Sequence, residues 1–132
     1  MSAQRPSSAD QSPRRLLLVA SNENFRKTLC RILSRCGYTV DAATSGEEAL
    51  SRIASARYDA VITDVRLPGH VCGITLMHQV RAEGREVPII FLTEEETSRI
   101  RAALEAWNGV ECVQLPLDVD HLKRLVARRC SR

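Results

Sequence analysis

Two side chains stand where an alternating α/β chain would do its chemistry. Asp64 closes the run Ala60-Val61-Ile62-Thr63 and is followed by a break at Pro68-Gly69, and Thr93 closes Pro88-Ile89-Ile90-Phe91-Leu92. A short apolar, β-rich run between turn signals marks a strand buried on both faces. In open parallel α/β sheets, ligand chemistry sits at the carboxyl ends of such strands. By position alone, Asp64 reads first as a structural acid that caps its own loop, and Thr93 reads equally as a hydroxyl that bonds its own loop. His70, His78 and His121 show no metal spacing. His70 and Cys72 follow Asp64 closely, which leaves a redox- or metal-responsive loop open. The five cysteines, Cys30, Cys36, Cys72, Cys112 and Cys130, include no Cys-x-x-Cys pair. An odd, scattered set indicates neither a zinc site nor a disulfide framework. They read as small buried apolar residues in a reducing compartment, with Cys72 the exception.

The elements that must position Asp64 and Thr93 follow from the hydrophobic pattern. Met1 to Pro13 is rich in Ser, Gln, Ala and Pro and is expected to be a disordered tail ahead of one domain spanning 14–132. Leu16 to Ala20 is a buried-strand run. Polar Ser21 to Asn24 opens a helix with Phe25, Leu29, Ile32, Leu33 and Cys36 on one face, and Gly37 stops it. Tyr38 to Ala42 is a second strand. Ser45-Gly46-Glu47-Glu48 matches a capping box for a helix that turns Ala49, Leu50 and Ile53 inward. After the Asp64 strand, Ile74, Leu76, Met77 and Val80 make a third helix, ended by Gly84. The Thr93 strand precedes a helix over Glu95 to Trp107, with Ile100, Ala103, Leu104 and Trp107 inward. Glu111 to Leu115 is a fifth strand, closed by Pro116. Asp118 caps a last helix with Val119, Leu122, Leu125 and Val126 inward. Five β-α units with helical crossovers call for a parallel sheet covered on both faces. One switch point would set Ala20-Ser21 beside Asp64, with Thr93 and Leu115 on the same rim.

Composition narrows the function classes. The chain has 132 residues, 44% hydrophobic and 27% charged, with a net charge of +3, which is too small to argue for nucleic acid. No apolar run approaches the roughly 20 residues that span a bilayer. Met1 to Arg14 has no apolar segment of a secretory signal, so a cytoplasmic protein is expected. A flavodoxin-like cofactor binder or enzyme would need a phosphate-cradling loop after the first strand. Ser21-Asn22-Glu23-Asn24 has no Gly and carries a negative charge, so that class ranks last and no enzyme is expected.

In order and spacing, the chain resembles the receiver domain of two-component response regulators. The resemblance runs from Leu16 to Arg128. It rests on Leu16-Leu17-Leu18-Val19, Arg26 to Leu33 with Gly37-Tyr38-x-Val40, Ala43-x-Ser45-Gly46-Glu47-Glu48-Ala49-Leu50, Tyr58-Asp59-x-Val61-Ile62-x-Asp64-x-x-Leu67-Pro68-Gly69, Pro88-Ile89-Ile90-x-Leu92-Thr93 and Pro116-Leu117. It implies a flavodoxin-like (βα)5 sandwich with strand order 2-1-3-4-5. It also implies phosphoryl transfer from a histidine kinase onto Asp64, assisted by Mg²⁺ held by an acid pair after the first strand. Thr93 would contact a phosphoryl oxygen, as would a Lys after the fifth strand. An aromatic residue in that strand would move with Thr93.

The chain departs from the family at most of those places. The acid pair falls on Ala20 and Ser21, the Lys position holds Leu115, the aromatic position holds Cys112, and the small residue after Thr93 is Glu94. Trp107-Asn108-Gly109 replaces a Gly-Ala step, and the loop 68–73 is one residue longer than the family's. Asp64 would be the one motif carboxylate left for Mg²⁺, so no cofactor is expected and Mg²⁺ is doubtful. The expectation is a degenerate receiver that acts as a protein-interaction module, with phosphorylation of Asp64 weak or absent. The alternative is a working phosphoacceptor switch. The partner surface is expected on the last two helices and the fifth strand, facing a histidine kinase or phosphotransfer protein, with a homodimer left open. Lys123, Arg124, Arg128 and Arg129 on the last helix read either as a basic partner surface or as a solvated helix end. If no other acid crowds Asp64, its replacement by Asn should be near neutral or mildly stabilising.

Overall fold

A computed structural model describes residues 13–94 and 98–130. Five strands alternate with five helices: β1 (Arg15–Val19), α1 (Glu23–Arg35), β2 (Thr39–Ala43), α2 (Gly46–Ser55), β3 (Ala60–Asp64), α3 (Gly73–Ala82), β4 (Ile89–Thr93), α4 (Ser98–Glu105), β5 (Val110–Gln114) and α5 (Val119–Cys130). The strands pair in parallel in the order β2-β1-β3-β4-β5. This is the flavodoxin-like three-layer sandwich. Residues 1–12 of the expected tail, residues 95–97 at the expected start of the fourth helix, and the side chain of Ile100 lie outside what is described.

Successive side chains of a strand point to opposite faces, so a strand covered on both sides reads as one apolar run. Leu17, Val19, Val61, Ile89 and Phe91 pack beneath α2, α3 and α4, against Ala49, Ile53, Leu76, Met77, Val80 and Leu104. Leu16, Leu18, Ile62, Ile90 and Leu92 pack beneath α1 and α5, against Leu29, Leu33, Leu122, Leu125 and Val126. Each fully buried Leu or Ile contributes roughly 1.5–3 kcal/mol. Side-chain caps set the helix starts. Asn22 accepts from the Phe25 N–H at 2.8 Å, Ser45 from Glu48 at 3.1 Å, and Asp118 from His121 at 3.1 Å. The Glu48 carboxylate reaches back to the Thr44 N–H at 2.8 Å, one residue beyond the usual capping-box partner, the N-cap Ser45.

Strand ends fall within one residue of expectation. β5 stops at Gln114 because Pro116 has no N–H to extend the ladder. Two expectations fail. Trp107 and Ala103 do not face the core: Trp107 is 38% exposed and Ala103 is exposed, while Leu104 is buried. The helix ends at Glu105, so Trp107 sits in the turn to β5, outside the helical phase, with its ring edge-on to His78 at 4.9 Å. The cysteines are not uniformly buried either. Cys112 and Cys130 are buried and Cys30 is half-buried, but Cys36 is exposed. Cys36 is the C-cap of α1, at the exposed end of the helix just before Gly37, whose φ of 100° turns the chain toward β2.

Candidate functional site

The strand order sets the carboxyl ends of β1, β3 and β4 side by side. Val19 pairs with Thr63, and Asp64 with Leu92. Above them lies a cavity of about 390 Å³ lined by Asp64, Thr93, Ser21, Glu94 and Leu115 together with Asn22, Phe25, Val65, Arg66 and Leu92. Five of the seven positions singled out in the sequence therefore meet in one place. Ala20 adjoins the cavity but is fully buried, and its N–H donates to the Ala43 carbonyl at 3.1 Å. Cys112 faces the opposite side of the sheet, in the cluster that holds Phe91 and Leu104.

Asp64 is half-buried, and its environment raises its pKa to about 6. Burial is the main cause, because removing the carboxylate from water penalises its charged form. The Ser21 N–H donates to the carboxylate and pulls the other way, and the nearby Glu94 charge adds a smaller upward push. Glu23, the other acid near this loop in sequence, does not serve the site. It is exposed and pairs with Lys27 at 2.6 Å.

A residue with no expected role organises the loop between β1 and α1. Arg26 Nη1 donates to the Ala20 carbonyl at 2.9 Å and to the Ser21 carbonyl at 3.4 Å. Helical side chains lean toward the N-terminus, so a residue one turn into α1 can reach back over the loop. Its spacing from the Asn22 cap was the available signal. Phe25, read as a core residue, also lines the cavity.

The β3–α3 loop is pinned by close approach and by one carboxylate. A Cβ on Gly73 would lie 2.2 Å from the Asp64 carbonyl oxygen, so no larger residue fits there. Glu47 of α2, read only as part of a cap, accepts the His70 N–H at 2.9 Å. That bond holds the Glu47 pKa below the usual carboxylate range. His70 and Cys72 do not line the cavity. The Cys72 thiol contacts Thr75 Oγ1 at 3.3 Å, and this contact lowers its pKa. On α5, Arg128 and Arg129 turn to Glu111 of β5 at 3.8 and 2.5 Å, which halves the set of cations read as a basic surface. No described helix is long and apolar enough to cross a membrane.

Relatives place this geometry. Response regulator MprA of Mycolicibacterium vanbaalenii is 41% identical over 91 residues, 69% of this chain and 39% of that protein. The chain thus spans about two fifths of the length of the curated relatives it matches. Among solved structures, response regulator protein TrrA of Thermotoga maritima, in complex with Mg(2+)-BeF, superposes with a TM-score of 0.77 at 34% identity, covering 88% of this chain and 98% of that one. Chemotaxis response regulator CheY4 of Vibrio cholerae superposes with a TM-score of 0.80 at 26% identity, covering 89% and 98%. The profile of the response regulator receiver domain matches residues 16–127, and with an acid closing β3 and a hydroxyl closing β4 over one cavity, the chain belongs to that family.

Proposed function

We propose that this receiver is a non-catalytic protein-interaction module whose output does not depend on Mg²⁺-assisted phosphorylation of Asp64. The observation that carries the reading is the β1–α1 loop. Where the family holds an acid pair, Ala20 is buried, Ser21 offers a hydroxyl, and the Arg26 guanidinium occupies their carbonyl oxygens. Mg²⁺ demands an octahedral oxygen array, usually with carboxylates. The lining supplies carboxylates from Asp64 and Glu94, and no group of three Asp, Glu, His or Cys side chains suited to a metal occurs among the described residues. That donor set does not fit the family's ion. An acyl phosphate on Asp64 would also meet Glu94 and find Leu115 in place of a cation. The proposed contact surface is formed by α4, β5 and α5, and the proposed partner is a histidine kinase or phosphotransfer protein.

One observation favours the second reading, a phosphoacceptor switch: Asp64 and Thr93 still share the cavity. Titration with Mg²⁺ and beryllofluoride, followed by amide NMR, separates the two. The module reading expects no saturable shifts at Ser21, Asp64 or Thr93. Saturable Mg²⁺-dependent shifts there would establish the switch instead.

A further inference from the structure

The substitutions around Asp64 remove charge and also reshape what the cavity can hold. Leu115 places a branched apolar side chain where a Lys was expected, and Phe25, Val65 and Leu92 extend that apolar wall. The same lining includes polar groups: the Asp64 carboxylate, the Ser21 and Thr93 hydroxyls, and the Glu94 carboxylate. The lining carries two carboxylates against one guanidinium, that of Arg66, so its net charge with both acids ionised is negative. At about 390 Å³ the cavity falls at the small end of ligand pockets, which run roughly 300–1,000 Å³ and combine apolar walls with a few convergent polar groups.

From this juxtaposition we propose that the cavity over Asp64 is a binding site for a small organic cation, a primary ammonium on a short apolar body. The ammonium sits against the Asp64 and Glu94 carboxylates, and the carbon body lies along Phe25 and Leu115. The proposal rests on the reading above that Mg²⁺ does not occupy this place. It supplies the positive charge that the half-buried carboxylate lacks, in a form that needs no octahedral oxygen shell. Anions are disfavoured by the same two acids. A bare alkali or alkaline-earth ion would leave the apolar wall unused. A free amine and a lysine side chain of a partner share the required chemistry.

The test uses benzylammonium chloride as probe, with benzyl alcohol as its uncharged counterpart, and amide NMR of the full chain. Saturable shifts of Ser21, Val65, Thr93 and Leu115 are expected with benzylammonium. Binding should be about tenfold weaker with the alcohol, because the charge-assisted contact is lost. Asp64→Asn should weaken benzylammonium by about tenfold as well, and that variant is expected to fold more stably than the parent. Leu115→Lys, which tethers an ammonium in the same space, should abolish binding while its amide spectrum reports an intact fold. A lysine-bearing peptide with a blocked amino terminus distinguishes a protein-borne ammonium from a free one by which of the two binds more tightly. Absence of saturation at about 20 mM, equal binding of the alcohol, or indifference to Asp64→Asn overturns the proposal. A parallel Mg²⁺ titration keeps the two readings apart. Shifts with Mg²⁺ overturn the Mg²⁺-independent reading, whereas silence to both Mg²⁺ and benzylammonium overturns only the ammonium site.

Discussion

Replacing Asp64 with Asn should stabilise the fold at neutral pH, and the gain should vanish on acidification. The folded pKa of about 6 lies roughly two units above the ordinary 3.8, and each unit corresponds to about 1.4 kcal/mol. The upper limit of the penalty for holding the carboxylate charged is therefore about 3 kcal/mol. Partial solvent access at a half-buried site reduces this to about 1–2 kcal/mol. Because the folded pKa is raised, the penalty is fully present above the folded pKa and shrinks as pH falls through about 6. It is gone below the unfolded value near 3.8, where both states carry the neutral acid. Asn keeps an oxygen for the Ser21 N–H and carries no charge to desolvate. Urea denaturation at about pH 7 should move the midpoint up by roughly 1 M in the variant, with little difference from the parent near pH 4. Two results refute the reasoning: a variant less stable than the parent at neutral pH, or an equal gain at both pH values. Glu94→Gln serves as the control. Burial outranks Glu94 as the cause of the shift, so removing Glu94 alone should recover only a minor part of the gain. The sequence-based expectation of a near-neutral or mildly stabilising change considered only like-charge crowding, and burial adds a further cost to the charged form.

Three other perturbations probe the frame around the cavity. Gly73→Ala sets a methyl 2.2 Å from the Asp64 carbonyl oxygen and should cost about 1–3 kcal/mol in urea denaturation, with amide shifts spreading along the β3–α3 loop. Arg26→Met keeps the side-chain length but leaves the Ala20 and Ser21 carbonyls without their donor; it should lower stability by about 1–2 kcal/mol and speed hydrogen exchange at Ser21. Thiol labelling of the native chain should modify exposed Cys36 first, while buried Cys112 and Cys130 react only after unfolding; fast labelling of Cys112 would mean that β5 is not packed as described.

Asp64 and Thr93 could be placed at the ends of β3 and β4 from the sequence because strand ends follow from where apolar runs stop, and a parallel sheet brings those ends together without further information. The roles of Arg26 and Glu47 depended on something the pattern does not encode, the path of a loop. Arg26 acts on carbonyls of the β1–α1 loop, and Glu47 on a backbone N–H of the β3–α3 loop. Backbone groups carry no residue-specific signal, so such contacts are invisible until the chain is folded. Trp107 failed for a related reason. Its spacing fits a helix that continues, and the helix ends at Glu105. The facing of Cys112 could be read only from the sheet, where it pairs with Phe91 and packs on the far side from Asp64.

That placement bears on how any occupant of the cavity could be felt elsewhere. A ligand shifts a conformational equilibrium only by as much as its affinity differs between the two states. In the family, the expected second state is one in which Thr93 moves together with an aromatic side chain on β5. Here the corresponding Cys112 is buried, and its N–H donates to the Glu105 carboxylate at 3.3 Å. It has no ring to exchange between an outward and an inward position. Among the described residues, β5 offers no aromatic side chain for such a movement. Ligand binding should then act mainly by raising the stability of the one packed state, by RT ln(1 + [L]/Kd). A surface that stays the same whether the cavity is empty or filled is what the proposed docking module requires, and under that proposal a partner bound at the α4–β5–α5 face should bind equally well in the parent and in Asp64→Asn.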